Sequence, residues 1–272
     1  DLGPDPGPGR GADLRPELPG LAALRADPDG AVVALDYDGT LAPVVERPSD
    51  AVPAAGAVDA LRRLAPQLRS LALVTGRPAD VVVQLGGLTD VPGLVVLGQY
   101  GAQRWSAGEL TSPPPLPGIA EVRDRLPALL APEGAQLEDK GLALVVHTRR
   151  CADPHGALAR LTSPVHELAT AAGLEMHPGR LVLEVRPPGF DKRGALLSLC
   201  EPPPSAVLFA GDDTGDLPAY DAVDELRAVG VPGLLVCSAS EEGPAQLRDR
   251  ADVVVDGPAG VVALLGALLD PA

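Results

Sequence analysis

The 272-residue chain predicts an α/β fold, a Rossmann-like parallel-sheet core with an inserted α+β cap domain. Three observations carry this expectation. Short apolar runs alternate with helix-length stretches before residue 101 and again after residue 187, the rhythm of βαβ units and right-handed crossovers. Between these halves a Pro-rich break at 112–118 interrupts the rhythm. Beyond it, two strands meet around Pro178-Gly179, the pattern of an antiparallel hairpin.

The elements follow in order. Residues 1–20 hold many Pro and Gly with little periodicity, and are expected to form a flexible tail. AVVALD at 31–36 is a buried strand, 53–69 a helix disturbed by Pro66, and LALVT at 71–75 a second strand. Pro78 opens a helix over 78–86, and LVVLG at 94–98 is a third strand. The inserted part carries a helix at about 119–130, a strand at 141–149 and a helix over 154–171. Strands at 173–177 and 180–186 complete it, with Pro178-Gly179 as their turn. The core resumes with a helix at 191–199, the rigid connector EPPPS at 201–205 and the strand AVLFAG at 206–211. A helix at 216–228, strands at 234–237 and 252–255, and a helix at 258–269 close it. The expected division is 21–101 with 187–272 for the core and 102–186 for the insert, placed as a lid over the active edge.

Composition narrows the function. A net charge of −15 argues against a nucleic-acid partner, which would want a basic face. No apolar stretch reaches membrane-spanning length, and no signal-peptide pattern is found at the start. Cys151, Cys200 and Cys237 show neither CxxC nor zinc spacing, so reduced thiols in a cytoplasmic protein are expected. The first residue is Asp rather than Met, which is read as a truncated or processed start. Oligomeric state leaves no trace in the pattern. Among 22 Lys and Arg, lysine occurs only as Lys140 and Lys192, where a compact ammonium can differ in purpose from a planar fork.

Four strand ends converge if the sheet is parallel, and open α/β sheets build their sites there. The first carries Asp36 and Asp38, which point the same way on an extended chain. This pair can share a divalent cation, split into nucleophile and acid/base, or simply cap an Asp-Gly turn. The second carries Thr75, Gly76 and Arg77 ahead of a helix, where backbone amides can hold a phosphate. Lys192 opens a helix although a cation there opposes the helix dipole. The fourth carries Asp212 and Asp213, with Asp216 one turn on, a repelling cluster that suggests a cation. All-oxygen donors favour Mg²⁺ over zinc. Walker A and Gly-x-Gly-x-x-Gly patterns are missing, so nucleotide binding has no support. Carboxylates, a hydroxyl and an ammonium are together the parts of phosphoryl transfer.

In combination, DYDGT at 36–40, Thr75, Lys192 and GDDTGD at 211–216 resemble the four motifs of the haloacid-dehalogenase phosphatase superfamily. VTGRP at 74–78, LGQYGAQ at 97–103, EDKGLALVVHTR at 138–149 and LVLEVRPPGFDKRGAL at 181–196 resemble trehalose-6-phosphate phosphatases more closely. The resemblance implies Asp36 as the nucleophile that becomes phosphorylated and Asp38 as the acid, then base, for leaving group and water. It implies Mg²⁺ on Asp36, Asp212 and the Asp38 carbonyl with Asp213 or Asp216 assisting, and phosphate held by Thr75 and Lys192. From the cap, Lys140, His147, Arg149, Glu184 and Arg186 would reach the disaccharide or its phosphate. The bland reading is that Glu184 and Arg186 pair with neighbours on a strand's solvent face and that His147 is an ordinary strand histidine. Two departures stand out: Gly98-Gln-Tyr100-Gly101 where the family usually has GNHG, and Gly215-Asp216-Leu217 where it usually has Thr-Asp-Glu. The implied partner is a small-molecule sugar phosphate. Alternatives are another sugar phosphate such as sucrose 6-phosphate, and, more remotely, a non-catalytic phospho-accepting or sugar-binding module.

Overall fold

The computed structural model describes residues 18–241 and 243–270, so the tail expected over 1–20 lies outside the described residues except at its end. There, Pro19 and Gly20 already belong to a first helix, α1 (Pro19–Ala26). The chain divides into two units, one comprising residues up to 111 and from 191 on, the other Ser112–Phe190.

The first unit begins with β1 (Val32–Leu35), α2 (Ala57–Leu64), β2 (Ser70–Val74), α3 (Ala79–Gly86) and β3 (Leu94–Gly98). A hairpin of β4 (Gln103–Ser106) and β5 (Glu109–Thr111) follows. After the insertion come α6 (Lys192–Leu199), β10 (Val207–Gly211), α7 (Leu217–Ala228), β11 (Gly233–Ala239), α8 (Ala245–Arg250), β12 (Val253–Asp256) and α9 (Gly257–Ala267). These strands form one sheet in the order β12-β11-β10-β1-β2-β3-β4-β5, parallel from β12 to β3. β4 pairs antiparallel with both β3 and β5.

The apolar runs are near-continuous because both faces of the sheet are covered. Along β1, Val33 and Leu35 join a core with Leu24 of α1, Leu61 of α2 and Leu264 of α9. Val32 and Ala34 face the opposite core with Leu196 of α6 and Val223 of α7. Each fully buried Val or Leu contributes about 1.5–3 kcal/mol on leaving water. No helix among the described residues is long and apolar enough to cross a membrane.

The second unit contains α4 (Pro117–Leu130), β6 (Gln136–Asp139), β7 (Leu144–His147), α5 (Pro154–Ala171), β8 (Glu175–Gly179) and β9 (Val182–Arg186). Its strands make a separate antiparallel sheet in the order β6-β7-β9-β8. Leu144, Val146, Leu183 and Val185 pack with Val122 and Leu126 of α4 and Leu161 and Val165 of α5.

Two expectations differ from these findings. The division falls at 111/112 and 190/191 rather than at 101/102 and 186/187, because residues 103–111 extend the core sheet. Their turn, Ala107-Gly108, has φ of 52° and 84°, the doubly left-handed conformation that suits the twist of a two-residue hairpin. Pro178-Gly179 is not the turn of the second hairpin. Both residues pair within β8, Pro178 opposite Leu183, and Arg180-Leu181 turns the chain. Proline is tolerated there because β8 is an edge strand, where one side of the ladder needs no donor.

Candidate active site

Strands β10, β1 and β2 are adjacent and parallel, so their carboxyl ends stand side by side at a spacing of about 4.8 Å. Asp36 follows β1 directly, and its N–H continues the ladder to the Ala210 carbonyl at 2.9 Å. Asp212 follows β10 on one flank, and Thr75 follows β2 on the other. The sheet therefore delivers three of the sequence-predicted positions to one place.

Lys192 joins them from the first turn of α6, whose N-cap Asp191 accepts from the Gly194 N–H at 2.7 Å. Its ammonium donates to Asp36 Oδ1 at 2.5 Å and Asp216 Oδ1 at 2.7 Å, within a buried cluster. This explains a lysine at a helix N-terminus: two buried carboxylates outweigh the dipole. Asp216 Oδ2 accepts from the backbone N–H of Asp212 and of Asp213, at 2.9 and 3.2 Å. The Asp213 carboxylate caps the short 3₁₀ turn Thr214–Asp216 by accepting from the Gly215 N–H at 2.7 Å. The GDDTGD cluster is thus partly a capping box, with Asp216 serving both the turn and Lys192.

Charge here is unbalanced. Asp36, Asp212 and Asp216 present carboxylate oxygens within 4.8 Å of one another, while Lys192 supplies one cation, bonded to Asp36 and Asp216. Burial, then repulsion from Asp216, pushes the Asp36 carboxyl well above its ordinary range despite Lys192. Burial and the neighbouring Asp216 and Asp213 push Asp212 up to about 8. Asp213 is raised by burial and by Asp216. Burial opposes the charge on Lys192, but Asp216 and Asp36 prevail and hold its pKa well above the usual lysine value. A hard divalent cation fits this donor set: oxygen ligands only, close enough to share an ion, and carrying more negative charge than one ammonium neutralises.

Asp38 is placed differently. Its two carboxylate oxygens accept from Arg77 Nε and Nη2, both at 2.7 Å, a bidentate fork. Arg77 Nη1 donates to the Pro48 carbonyl at 2.8 Å, and the guanidinium lies 5.8 Å from the Tyr37 ring centre. Of the expected phosphate-binding residues, Arg77 therefore grips the Asp38 carboxylate. Thr75 is buried, and its Oγ1 accepts from the Arg77 N–H at 3.1 Å, which leaves the hydroxyl hydrogen to donate. Gly76 lies against Tyr100: a Cβ there would come within 2.6 Å of the tyrosine Oη. Tyr100 itself has φ of 58° and follows Gln99 at 45°, an uncommon pair of left-handed side-chain-bearing residues.

In the second unit, the alternation of β9 sends Leu183 and Val185 to the helices and Glu184 and Arg186 to the other face. Lys140 Nζ donates to Glu184 Oε1 at 3.1 Å, and Arg186 Nη1 lies 3.8 Å from Glu184 Oε2. On the same sheet His147 Nε2 is 2.7 Å from Glu138 Oε2, and His177 Nδ1 is 3.4 Å from Arg186 Nη2. Four of the five expected residues thus belong to one polar face of this sheet, whereas Arg149 is exposed in the turn after β7. Glu138 and His177 were not singled out from the sequence. The alternation in Gln136–Asp139 was the available signal for Glu138.

A family model described as trehalose-phosphatase matches residues 34–252. A probable trehalose-phosphate phosphatase of Sinorhizobium fredii is 31% identical over 218 residues, covering 78% of this chain and 80% of that protein. The trehalose-phosphate phosphatase of Mycobacterium marinum is 31% identical over 228 residues, 76% of this chain and 56% of that protein. An uncharacterized glycosyl hydrolase of Mycobacterium tuberculosis is 37% identical over 214 residues, 73% of this chain but 16% of that protein. The chain therefore spans little more than half of the mycobacterial phosphatase and a small part of the larger protein. In fold it is similar to the C-terminal domain of trehalose-6-phosphate phosphatase from C. albicans, with TM-score 0.77, 21% identity and coverage of 95% and 98% of the two chains. It is likewise similar to Aspergillus fumigatus trehalose-6-phosphate phosphatase, with TM-score 0.69, 23% identity and coverage of 97% and 100%.

Proposed function

The chain belongs to the trehalose-phosphatase family, and we propose that it is a Mg²⁺-dependent phosphatase releasing phosphate from trehalose 6-phosphate through an aspartyl phosphate on Asp36. One observation carries this reading: two carboxylates of one strand end lie in opposite environments. Asp36 sits in the buried acidic cluster beside Lys192, and Asp38 is half-exposed on Arg77. That division suits a nucleophile and a proton carrier.

In the first step an Asp36 oxygen bonds to phosphorus and the phosphorus–oxygen bond to the sugar breaks. Asp38, protonated, gives its proton to the departing sugar oxygen. In the second step water bonds to phosphorus, Asp38 takes back a proton, and inorganic phosphate leaves as the Asp36 carboxylate is restored. Because both Asp38 oxygens accept from Arg77, at least one of those hydrogen bonds must open for Asp38 to carry a proton. Lys192 and the Thr75 hydroxyl are the donors toward phosphoryl oxygens, with the Gly76 and Arg77 segment framing them. Asp36, Asp212 and Asp216 would hold Mg²⁺, with the Asp38 carbonyl and Asp213 nearby in sequence. The cation, when bound, supplies positive charge to phosphoryl oxygens.

Lys140, His147, Glu184 and Arg186 supply alternating donors and acceptors for sugar hydroxyls, with Arg149 at the edge of their sheet. The test is phosphate release from a panel containing trehalose 6-phosphate, sucrose 6-phosphate and glucose 6-phosphate, with Mg²⁺ and with chelator. Trehalose 6-phosphate is expected to give the highest kcat/KM, and chelator to remove turnover. An equal or better rate on another sugar phosphate overturns the substrate; full activity in chelator overturns the metal.

A further inference from the structure

Ser238 stands at the end of β11, two strands from β1 in the sheet, yet its hydroxyl donates to the Gly39 carbonyl at 2.7 Å. The two residues are 199 positions apart, and the bond is buried. Adjacent strands are about 4.8 Å apart, so the loop after β1 must arch over the end of the intervening strand, β10, to reach it. The residue at that end is Asp212.

Gly39 shows how closely the arch is drawn. It adopts φ of 81°, and a Cβ built on it would lie 1.9 Å from Asp212 Oδ2, inside the space the carboxylate occupies. Gly39 thus presses its backbone on Asp212 while its carbonyl is fixed from the far side by Ser238. Otherwise the loop is largely closed on itself: the Tyr37 carbonyl accepts from the Leu41 and Ala42 N–H groups, and the Gly39 N–H donates to Ala42. Beyond the bonds of Tyr37 and Leu41 to Ala51 and Ala54 in the segment that follows, it is tied by Arg77 on the Asp38 carboxylate and by Ser238 on the Gly39 carbonyl. These hold the loop from β2 on one side and from β11 on the other.

We propose that Ser238 is a positioning residue for catalysis: by fixing the Gly39 carbonyl across the end of β10 it sets the distance between the Asp36–Asp38 loop and the Asp212 carboxylate. The Ser238 hydroxyl donates to the Gly39 carbonyl rather than to Asp36, Asp38 or Asp212, and so acts through Gly39. Removing its hydroxyl leaves a buried carbonyl without its donor, and the loop tip then lifts toward another partner or water. The consequence falls on the acidic cluster and the reacting carboxylates, while the sugar-binding residues belong to a different unit. The proposal rests on the phosphatase reading for its kinetic part, whereas its metal-binding part can be read without turnover.

The experiment compares Ser238→Ala and Ser238→Thr with a control, Leu264→Ala, in the buried core beneath α9. For Ser238→Ala, kcat on trehalose 6-phosphate should fall at least tenfold with KM within twofold. The Mg²⁺ concentration giving half-maximal thermal stabilisation should rise severalfold. Ser238→Thr restores a hydroxyl and should recover kcat to within threefold of the wild type. Leu264→Ala should lower Tm at least as much as Ser238→Ala while leaving kcat and the Mg²⁺ titration unchanged. The proposal is overturned if Ser238→Ala keeps both kcat and Mg²⁺ half-saturation within twofold of an active wild type. It is equally overturned if Leu264→Ala reproduces the loss, because stability alone then explains it. A wild type inert toward every sugar phosphate would sink the phosphatase reading, and the Mg²⁺ titration would still decide whether Ser238 positions the cluster.

Discussion

The two units handle buried charge in opposite ways. In the first, Asp36 and Asp216 crowd one ammonium, with side-chain exposures of 7%, 0% and 6% for Asp36, Asp216 and Lys192, and Asp212 adds a further carboxylate. In the second, charges alternate along a line, Lys140 to Glu184 to Arg186, so each has an opposite neighbour. The unbalanced cluster stores a demand for positive charge that a cation or a phosphate-bearing transition state can meet. The line Lys140–Glu184–Arg186 stores no such demand and offers paired donors and acceptors instead, the surface a neutral polyhydroxyl ligand needs. On the proposed function, chemistry and recognition are separated by charge balance before any ligand is considered.

Breaking the unbalanced cluster should give the largest effects. Asp36→Asn removes the attacking oxygen's charge, and turnover on any phosphate ester should fall on the order of 10⁴-fold or more. Tm should hold or rise, because the lost charge was repelled by Asp216 and Asp212. Residual activity within a hundredfold of the wild type breaks the assignment of Asp36 as nucleophile. Lys192→Met acts from the other side. It leaves Asp36 and Asp216 buried without their counter-ion, which costs about 3–5 kcal/mol of stability. The loss should be visible in a urea midpoint and partly restored by millimolar Mg²⁺. A variant as stable as the wild type without metal means that the cluster protonates at little cost and that the charge excess was not real.

The balanced face predicts a smaller and more selective change. Glu184→Ala removes the acceptor between Lys140 and Arg186. KM for trehalose 6-phosphate should rise about 10- to 100-fold, the cost of one or two lost buried hydrogen bonds, while kcat on p-nitrophenyl phosphate stays unchanged. Equal losses on both substrates would erase the separation between the units.

How legible these features were in the sequence depended on how local they are. DYDGT, Thr75 and the Asp212 cluster were readable because each lies within a few residues of an apolar run, and a parallel sheet brings such strand ends together. Ser238 was invisible: its one decisive bond spans the sheet to Gly39, and nothing around Cys237-Ser238-Ala239 departs from an ordinary buried strand. Arg77 reads as a phosphate ligand from its neighbours in sequence; only the geometry shows its guanidinium bonded to Asp38. The β4–β5 hairpin was assigned to the insertion because Ala107-Gly108 is a weak turn signal beside the Pro-rich break that follows.

The smallest effect expected is also the most direct reading of charge imbalance. Asp212 is pushed from the ordinary 3.8 up to about 8, chiefly by burial and by Asp216. Between those values the folded chain holds a proton that the unfolded chain has lost. Stability therefore falls as pH rises from about 4 to about 8, since the folded state binds more protons there. Mg²⁺ competes with that proton, so its stabilising effect should be slight at pH 5 and grow toward pH 8. Thermal unfolding across this range, with Mg²⁺ and with chelator, should give Tm curves that diverge by a few degrees as pH rises. Parallel curves would mean that the cation binds without displacing protons, and the cluster in the first unit would then be as balanced as the face in the second.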